Sequence, residues 1–352
     1  MSGFDDGRVV EGGGQAGASG SASASGTAGA GGAPGASGSP GTPPDSAQLE
    51  AKIKKRSWGR WALLLLVTLV VFVLLGTKLD YTKVGSVLGA ADPFLLFVGL
   101  LITATFPVFS ALRWQRVMNG LGHQLAFGEA FELIMAAWPM GTLTPSKAGD
   151  VVKAYYLRNR IPIRTTLGSV LAERALDVLV LLALALFGCV LFRRWDLALL
   201  AGGGLLAGLV GITVLLTVRL PLPPKLQDKV DGVLEALRVV GRSPRLLAEV
   251  LFLTVINWMA SVVQVVVCYK ALGVAVPLTF TTGAVPLAIF VGLLPLTLSG
   301  MGTRDSAFIA LFGTLGVAAE VSLGVGLLYS LYGYWLPALA GLPFMKRVLG
   351  RG

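Results

Sequence analysis

The sequence predicts an all-α polytopic membrane helix bundle with about six full spans, two inverted re-entrant broken-helix hairpins and both termini in the cytoplasm. Three observations predict this class. Of 352 residues, 54% are hydrophobic and 14% are charged, and the mean hydropathy is +0.75, which is too apolar for an ordinary soluble globule. Apolar runs of about 20 residues, the length that crosses a ~30 Å hydrocarbon core, recur along most of the chain. Lys and Arg gather in the short connections between these runs, as they do in cytoplasmic loops.

The N-terminal region differs sharply in composition from the rest. Residues 1–47 are rich in Gly, Ala, Ser and Pro, so we expect a disordered tail, because such a segment cannot bury enough apolar surface to offset the entropy of ordering. The basic juxtamembrane segment 48–60 places the N-terminus inside. We assign residues 61–350 to one transmembrane domain. Full spans are predicted at 61–75, 94–112, 167–192, 197–218, 250–272 and 321–344.

The first predicted hairpin is the apolar run 126–144. It lies between a basic exit of the second span, which includes Arg113, and the basic loop 147–164. Both flanks favour the cytoplasm, so a full crossing would place one basic cluster outside, whereas a hairpin that enters and returns satisfies both. Pro139, Gly141, Thr144 and Pro145 are expected to break the helix at the tip, because proline removes a helix hydrogen bond and glycine adopts conformations closed to other residues.

The second predicted hairpin is similar to the first in sequence. "LTPSKAGD" from Leu143 aligns without a gap with "LSGMGTRD" from Leu298, so that Asp150 meets Asp305. Each stretch has a hydroxyl residue and a helix breaker, and then an aspartate that opens an apolar segment. Counting spans, the two hairpins enter from opposite sides, as in transporters with inverted repeats. The count does not decide whether residues 280–317 form a hairpin or two full crossings.

Charged residues inside apolar segments mark a candidate site. Glu173, Arg174 and Asp177 lie one to two turns inside a predicted span, and Arg304 and Asp305 form a second apolar-flanked pair. Such charges cost about 2.5–3.5 kcal/mol at the bilayer centre even on lenient scales, so they need partners or water. They form either structural ion pairs between helices or the lining of a polar groove.

A cavity is expected at the helix breaks. Non-helical backbone at membrane depth is tolerated only where it is buried in protein or lines water. Each helix that restarts after a break directs its N-terminal amides at that cavity, which favours anionic groups. Lys147, Lys153 and Arg304 add to this attraction. The pattern therefore fits a phosphate headgroup.

Three further features complete the prediction. Apolar residues at helical spacing near 225–241 predict an interfacial amphipathic helix. Asn257 and Gln264 share one face of a span and are typical of hydrogen bonds between helices. The single histidine, His123, the absence of any metal-ligand spacing around the two cysteines and the lack of a P-loop lead us to expect no metal and no cofactor.

With these motifs in view, the chain resembles the flippase-like, UPF0104-type family of uncharacterised membrane proteins related to the transmembrane region of lysylphosphatidylglycerol synthases. The resemblance covers roughly residues 58–350. It rests on a Pro-x-x-x-Gly-acid motif, a Glu-Arg-x-x-Asp motif that matches fully, and a glycine-rich motif that ends in Arg-acid. In the first and third motifs Asp stands where the family usually has Glu. The motif residues are Pro145, Gly149, Asp150, Glu173, Arg174, Asp177, Gly300, Gly302, Arg304 and Asp305.

The resemblance implies lipid translocation. We expect a lipid flippase or scramblase that moves a headgroup through a polar groove between the two hairpins, with anionic or aminoacylated phospholipids as partners. Enzymatic activity is not expected, because only about eight residues follow the last span and leave no room for a synthase domain. The predicted groove residues are Pro145, Lys147, Gly149, Asp150, Lys153, Glu173, Arg174, Asp177, Gly300, Gly302, Arg304 and Asp305.

Two other functions remain open at this stage. The same inverted hairpins and buried charges would serve a secondary transporter of a small anionic solute. The chain would also fit a non-catalytic membrane subunit of a separate lipid-modifying transferase. No nucleic-acid partner is expected, because topology accounts for the net charge of +10. We expect the protein in a bacterial-type cytoplasmic membrane.

Overall fold

A computed structural model describes residues 65–71, 73–74, 77, 80–143, 149–218, 223–293 and 297–350. The predicted tail 1–47 and the juxtamembrane segment 48–60 lie outside the described residues. Within the described ranges the chain is helical and contains no strand, which confirms the all-α class. In chain order the helices are α1 Tyr81–Gly89, α2 Pro93–Gly120, α3 Phe127–Leu143, α4 Asp150–Leu157, α5 Ile163–Leu191, α6 Trp195–Thr217, α7 Pro224–Arg242, α8 Pro244–Ala271, α9 Leu278–Leu293, a 3₁₀ turn Leu298–Gly300, α10 Thr303–Gly313, α11 Ala319–Ser330, a π-helical turn Leu331–Trp335 and α12 Leu336–Gly350.

Five described helical segments are long and apolar enough to cross a membrane. They are α2, α5, α6, α8 and the continuous segment Ala319–Val348, with mean hydropathies between 1.2 and 2.3. Each coincides with a predicted span. The first predicted span, 61–75, is described only at 65–71 and 73–74, and these residues are helical.

Helices α2 and α8 form an antiparallel pair with matching ends. Both have 28 residues and begin with proline, preceded by a capping side chain. Asp92 accepts a hydrogen bond from the amide of Phe94 at 2.8 Å, and Ser243 accepts one from Leu246 at 3.3 Å. A side-chain cap followed by proline is a strong helix start, because it satisfies an orphan amide while proline lacks one.

The contacts between α2 and α8 are reciprocal. Arg113, the twenty-first residue of α2, donates to Thr254, the eleventh residue of α8, at 3.2 Å. Gln264, the twenty-first residue of α8, donates to Thr103, the eleventh residue of α2, at 2.7 Å. Two helices that exchange equivalent contacts in this way are related by an approximate two-fold axis between them.

The remaining helices follow the same two-fold relation. In each half, 93–191 and 244–350, a long helix is followed by a shorter one, a break, a short helix and a long segment. Helix α3 of the first half packs on α12 of the second, and α9 of the second half packs on α5 of the first. The 17 residues of α3 and the 16 of α9 reach about 25 Å at 1.5 Å per residue, and α4 and α10 are shorter still. None of these four helices alone spans a ~30 Å hydrocarbon core.

Helix α7 connects the two halves through α6 and carries the predicted amphipathic pattern. It covers residues 224–242 and packs on α5 and α8. Leu234, Ala236 and Val240 are buried on its apolar side. This face is therefore covered by protein, while the position of α7 relative to lipid headgroups stays a prediction.

Candidate functional site

The first helix break depends on the close approach of a glycine. A Cβ atom at Gly149 would lie 2.0 Å from the carbonyl oxygen of Ala137 and 2.6 Å from the amide nitrogen of Gly141. Both are backbone atoms that cannot move aside independently of α3. Only glycine therefore allows the start of α4 to lie directly against α3. Of the other predicted residues here, Pro145 and Lys147 lie outside the described residues.

The second break depends on left-handed backbone. Ser299, Gly300 and Gly302 have φ angles of 51°, 75° and 90°, a region that glycine enters at little cost and other residues rarely adopt. A Cβ atom at Gly300 would also lie 2.4 Å from the carbonyl oxygen of Gly292 in α9. The sequence thus places glycine where α10 turns back along α9.

The end of α3 contacts the second break. Ser299 Oγ, in the second break, donates a hydrogen bond to the carbonyl of Thr142, near the end of α3, at 3.0 Å. Trp138 Nε1 donates to the carbonyl of Gly333 at 3.2 Å, and Thr142 Oγ1 lies 3.4 Å from that of Tyr334. Gly333 and Tyr334 belong to the π-helical turn, an arrangement that recurs at functional sites. The end of α3, the second break and the π-helical turn therefore form one junction.

A cavity of about 190 Å³ opens beside this junction. A volume of roughly 10–15 Å³ suffices for one water molecule in a polar site, so the cavity has room for several waters or for a polar group of a ligand. Its lining comes from α2, α3, α4, α5, α8, α11 and the π-helical turn. The lining residues are Phe106, Ser110, Arg113, Ile134, Ala137, Trp138, Gly141, Thr142, Gly149, Asp150, Lys153, Glu173, Arg174, Asp177, Asn257, Trp258, Ser261, Tyr329, Gly333 and Tyr334.

Arg113 is at the centre of a buried network in the wall of the cavity. It is 6% exposed. Its Nε donates to Glu173 at 3.0 Å, and its two terminal nitrogens bind the Asp177 carboxylate at 2.6 and 3.3 Å. Thr254 supplies a further acceptor, and Trp258 Nε1 donates to Asp177 at 3.1 Å. Bidentate binding by a planar guanidinium fixes both carboxylates in place.

A second group of charges lies nearer the first break. Lys153 is 3% exposed, binds Asp150 at 2.7 Å and lies 5.0 Å from the centre of the Trp114 ring. Arg174 approaches Asp177 at 3.4 Å and Asp150 at 3.8 Å, and its side chain is 46% exposed. Arg174 is therefore held more loosely than Arg113 and is the more accessible cation of the cavity.

The described charges of the cavity balance. Its wall carries three cationic and three carboxylate side chains among the described residues. An attraction for anions alone, as the sequence suggested, does not follow from this set. The cations are Arg113, Lys153 and Arg174, and the carboxylates are Asp150, Glu173 and Asp177.

The second predicted pair lies behind two tyrosine rings. Arg304 binds Asp305 at 3.1 Å and Ser330 at 2.6 Å. Its guanidinium carbon lies 4.6 Å from the Tyr329 ring centre and 5.4 Å from that of Tyr334. Both rings line the cavity, whereas Arg304 does not.

The structure thus divides the predicted groove residues into two groups. Gly149, Asp150, Lys153, Glu173, Arg174 and Asp177 line one cavity. Gly300, Gly302, Arg304 and Asp305 lie together at the second break, beyond the tyrosines. Gln264 joins helices as predicted, by donating to Thr103 and to the carbonyl of Gly99, whereas Asn257 lines the cavity.

The sequence interpretation of Arg113 was wrong. We placed it in a basic cytoplasmic exit after a span ending at residue 112, but α2 continues to Gly120 and Arg113 is buried in the site. One signal was available: Trp114, Val117 and Met118 continue the apolar pattern beyond Arg113, and all three are buried. An arginine flanked on both sides by buried apolar residues of one helix faces a partner inside the bundle.

Comparison with known proteins gives one family. The family model described as the lysylphosphatidylglycerol synthase TM region matches residues 61–341. A UPF0104 membrane protein of Methanothermobacter thermautotrophicus is 21% identical over 320 residues, which cover 80% of this chain and 93% of the relative. A UPF0104 membrane protein of Methanocaldococcus jannaschii is 22% identical over 309 residues, covering 79% of this chain and 92% of the relative. Together with the apolar helices, these matches identify an integral membrane protein.

A partial match has a different description. The glycosyltransferase AglD of Haloferax volcanii is 30% identical over 123 residues. The match covers 34% of this chain and 20% of that protein.

Proposed function

The chain belongs to the family of the lysylphosphatidylglycerol synthase transmembrane region, and we propose that it is a lipid flippase or scramblase rather than an enzyme. In this proposal a phospholipid headgroup passes through the cavity while its acyl chains stay in the bilayer. One observation carries the proposal: a cavity lined by charged side chains lies at the junction of two broken helices inside an otherwise apolar bundle. Buried charges that line a watery cavity in a membrane protein typically mark a substrate pathway.

The two-fold relation supports a proposed placement of the chain in the membrane. Helices α3–α4 and α9–α10 would be re-entrant hairpins, because each helix is too short to cross. The antiparallel pairing of α2 and α8 supports opposite orientations for the two halves, as in inverted-repeat transporters. With six full spans, the charge distribution favours cytoplasmic termini and a cytoplasmic membrane.

The lining of the cavity favours a headgroup that carries both a hydrogen-bond acceptor and a hydrogen-bond donor. The loosely held guanidinium of Arg174 is suited to a phosphate, because Arg binds phosphate oxygens strongly. Asn257 Oδ1 has no hydrogen-bond partner among the described residues and would accept from an ammonium or hydroxyl group. A balanced wall therefore favours an aminoacylated or hydroxyl-bearing phospholipid headgroup over a small solute that is only anionic.

Leaflet exchange tests the proposal. The purified protein is reconstituted in phosphatidylcholine vesicles with traces of headgroup-labelled phosphatidylglycerol or its aminoacylated form. We expect exchange well above that of protein-free vesicles, and a roughly tenfold slower rate for Arg174→Gln, since one hydrogen bond to a charged group contributes about 1.5 kcal/mol.

Arg116→Gln is the matched control. Arg116 is 52% exposed and lies 3.6 Å from Glu249, so it resembles Arg174 in exposure and pairing but lies outside the cavity. Equal rates for the two variants would remove Arg174 from the pathway. Wild-type exchange no faster than the protein-free background with both labelled lipids would overturn the flippase proposal, as would release of trapped inorganic phosphate without lipid exchange.

A second candidate function rests on the partial match to a glycosyltransferase. The chain would then be a non-catalytic membrane subunit that supports a separate lipid-modifying transferase. Co-purification with such an enzyme, together with no lipid exchange by the chain alone, would favour this function over the first.

A further inference from the structure

We propose that Arg304 is a second anion-binding site, separate from the cavity and closed in this structure by Tyr329 and Tyr334. Its ligand is a phosphate oxygen, and the source we favour is the phosphate of the headgroup that the cavity accepts. This inference rests on the proposed function for the identity of the headgroup.

The first argument is the unmet hydrogen-bonding capacity of Arg304. A guanidinium has five N–H donors. The side chain is 1% exposed, and only its Nη2 nitrogen has partners, Asp305 and Ser330. Nε and Nη1 have no partner among the described residues. Buried donors without a partner are rare in native structures and call for an explanation, and an anionic ligand would supply the missing acceptors.

The second argument is the comparison with Arg113. That guanidinium binds two carboxylates, Glu173 and Asp177, and uses all three of its nitrogens. Arg304 is paired with the carboxylate of Asp305 alone, and Asp305 also accepts the amide of Gly302 at 2.9 Å. Arg304 can therefore accommodate one more anionic group, whereas every nitrogen of Arg113 already has a partner.

The third argument is the position of the two tyrosines. Tyr329 and Tyr334 both line the cavity. Both rings also lie within cation–π distance of the Arg304 guanidinium. The Tyr329 hydroxyl is held by Ser261 at 2.9 Å. The rings thus cover the cation, and their displacement would connect Arg304 with the cavity.

These three observations define a path with two positions. The headgroup phosphate first pairs with Arg174 in the cavity and then with Arg304 behind the tyrosines. The first position lies beside the first break and the second beside the second break, so the phosphate moves from one half of the molecule to the other.

Site-resolved labelling of arginine with phenylglyoxal, read by mass spectrometry, tests the second site. In wild-type protein in phosphatidylcholine vesicles, we expect Arg174 to react and Arg304 to stay unlabelled. Replacing both rings, by Tyr329→Ala and Tyr334→Ala together, should make Arg304 reactive. Added phosphatidylglycerol should then lower the labelling of Arg304 severalfold, whereas more phosphatidylcholine should not.

A parallel sample with inorganic phosphate identifies the source of the anion. Protection by phosphatidylglycerol but not by inorganic phosphate assigns the site to the lipid headgroup. Protection by inorganic phosphate supports the anion site with a soluble ligand and overturns the lipid assignment.

Two controls keep the test decisive. Tyr329→Phe with Tyr334→Phe retains both rings and should leave Arg304 unlabelled. Arg113 should stay unlabelled in every sample. If Arg113 is labelled in the double alanine variant, the experiment is repeated with the single variants Tyr329→Ala and Tyr334→Ala. Rapid labelling of Arg304 in the wild type, or labelling in the alanine variants without protection by either anion, would overturn the proposal.

The outcomes also separate this inference from the proposed function. Wild-type lipid exchange without anion protection of Arg304 would reject the second site alone. Protection of Arg304 without lipid exchange would reject the flippase proposal and leave the anion site in place.

Discussion

The two halves of the molecule have the same order of helices but differ in the charged contacts between those helices. In the first half Arg113 binds two carboxylates on α5, and all three side chains line the cavity. In the second half the equivalent position of α8 holds the neutral Gln264, which hydrogen-bonds to Thr103 and to a carbonyl of α2. The bundle therefore needs a polar contact at this position but not an ion pair. The second half makes the equivalent contact without an ion pair, which is consistent with a role in binding for the ion pairs of the first half.

The largest expected loss of stability comes from replacing Arg113, and replacing Gln264 gives the comparison. Arg113→Ala leaves Glu173 and Asp177 buried without their main partner, and breaking a buried pair in this way costs about 3–5 kcal/mol. Gln264→Ala removes neutral hydrogen bonds and should cost about 1 kcal/mol. The free energy of unfolding, measured by SDS titration in mixed micelles, compares the two variants.

A rescue variant controls for the loss of side-chain volume. In an Arg113→Met background, Glu173→Gln with Asp177→Asn removes the unpaired charges and should recover a large part of the lost stability. Similar losses for Arg113→Ala and Gln264→Ala would mean that the two halves do not differ in the way described.

A smaller loss of stability is expected from a substitution at the first helix break. Gly149→Ala would place a methyl group 2.0 Å from the Ala137 carbonyl oxygen, so α4 must move away from α3. Overpacking of this kind costs about 1–3 kcal/mol. Lipid exchange should fall as well, because Asp150 directly follows Gly149 and lines the cavity.

Gly128→Ala is the control for this substitution. It lies in the first turn of the same helix, α3, and a Cβ atom there meets nothing within 4 Å. Its stability should stay within about 0.5 kcal/mol of the wild type. If Gly149→Ala were equally neutral in stability and exchange, the close approach of α4 to α3 would not matter for the site.

The sequence predicted the fold better than it predicted the contacts of the site. Five spans were located because long apolar runs are a strong signal. Gly149 and Gly300 were named because they belong to the motifs on which the family resemblance rests. Glu173 and Asp177 stood out because carboxylates inside a span are rare.

The remaining contacts had no comparable signal. An arginine near the end of an apolar run fits a cytoplasmic loop as well as a buried ion pair, and only the fold shows that Arg113 faces Asp177. Tyr329 and Tyr334 are ordinary aromatic residues in an apolar segment, so nothing in the sequence places them between Arg304 and the cavity. These contacts join residues far apart in the chain, and local patterns do not carry that information.

The smallest expected losses of stability come from removing the hydroxyl group that accepts a hydrogen bond from each guanidinium. Ser330→Ala removes an acceptor 2.6 Å from Arg304 and leaves that guanidinium with one acceptor among the described residues. Thr254→Val removes an acceptor 3.2 Å from Arg113, which keeps both carboxylates. A hydrogen bond to a charged group contributes about 1.5 kcal/mol where nothing replaces it, so we expect about that loss for Ser330→Ala and less than half of it for Thr254→Val.

SDS titration measures the free energy of unfolding of both variants. Repeating the titration with an added anionic lipid extends the comparison. If Arg304 binds a phosphate, phosphatidylglycerol in the micelles should stabilise the wild type and restore part of the stability of Ser330→Ala, because a bound oxygen replaces the missing acceptor. Thr254→Val should gain no more than the wild type does, since Arg113 has no unused nitrogen. A larger loss for Thr254→Val than for Ser330→Ala would contradict the view that Arg304 has fewer hydrogen-bond partners than Arg113, and would reverse the assignment of roles to the two halves.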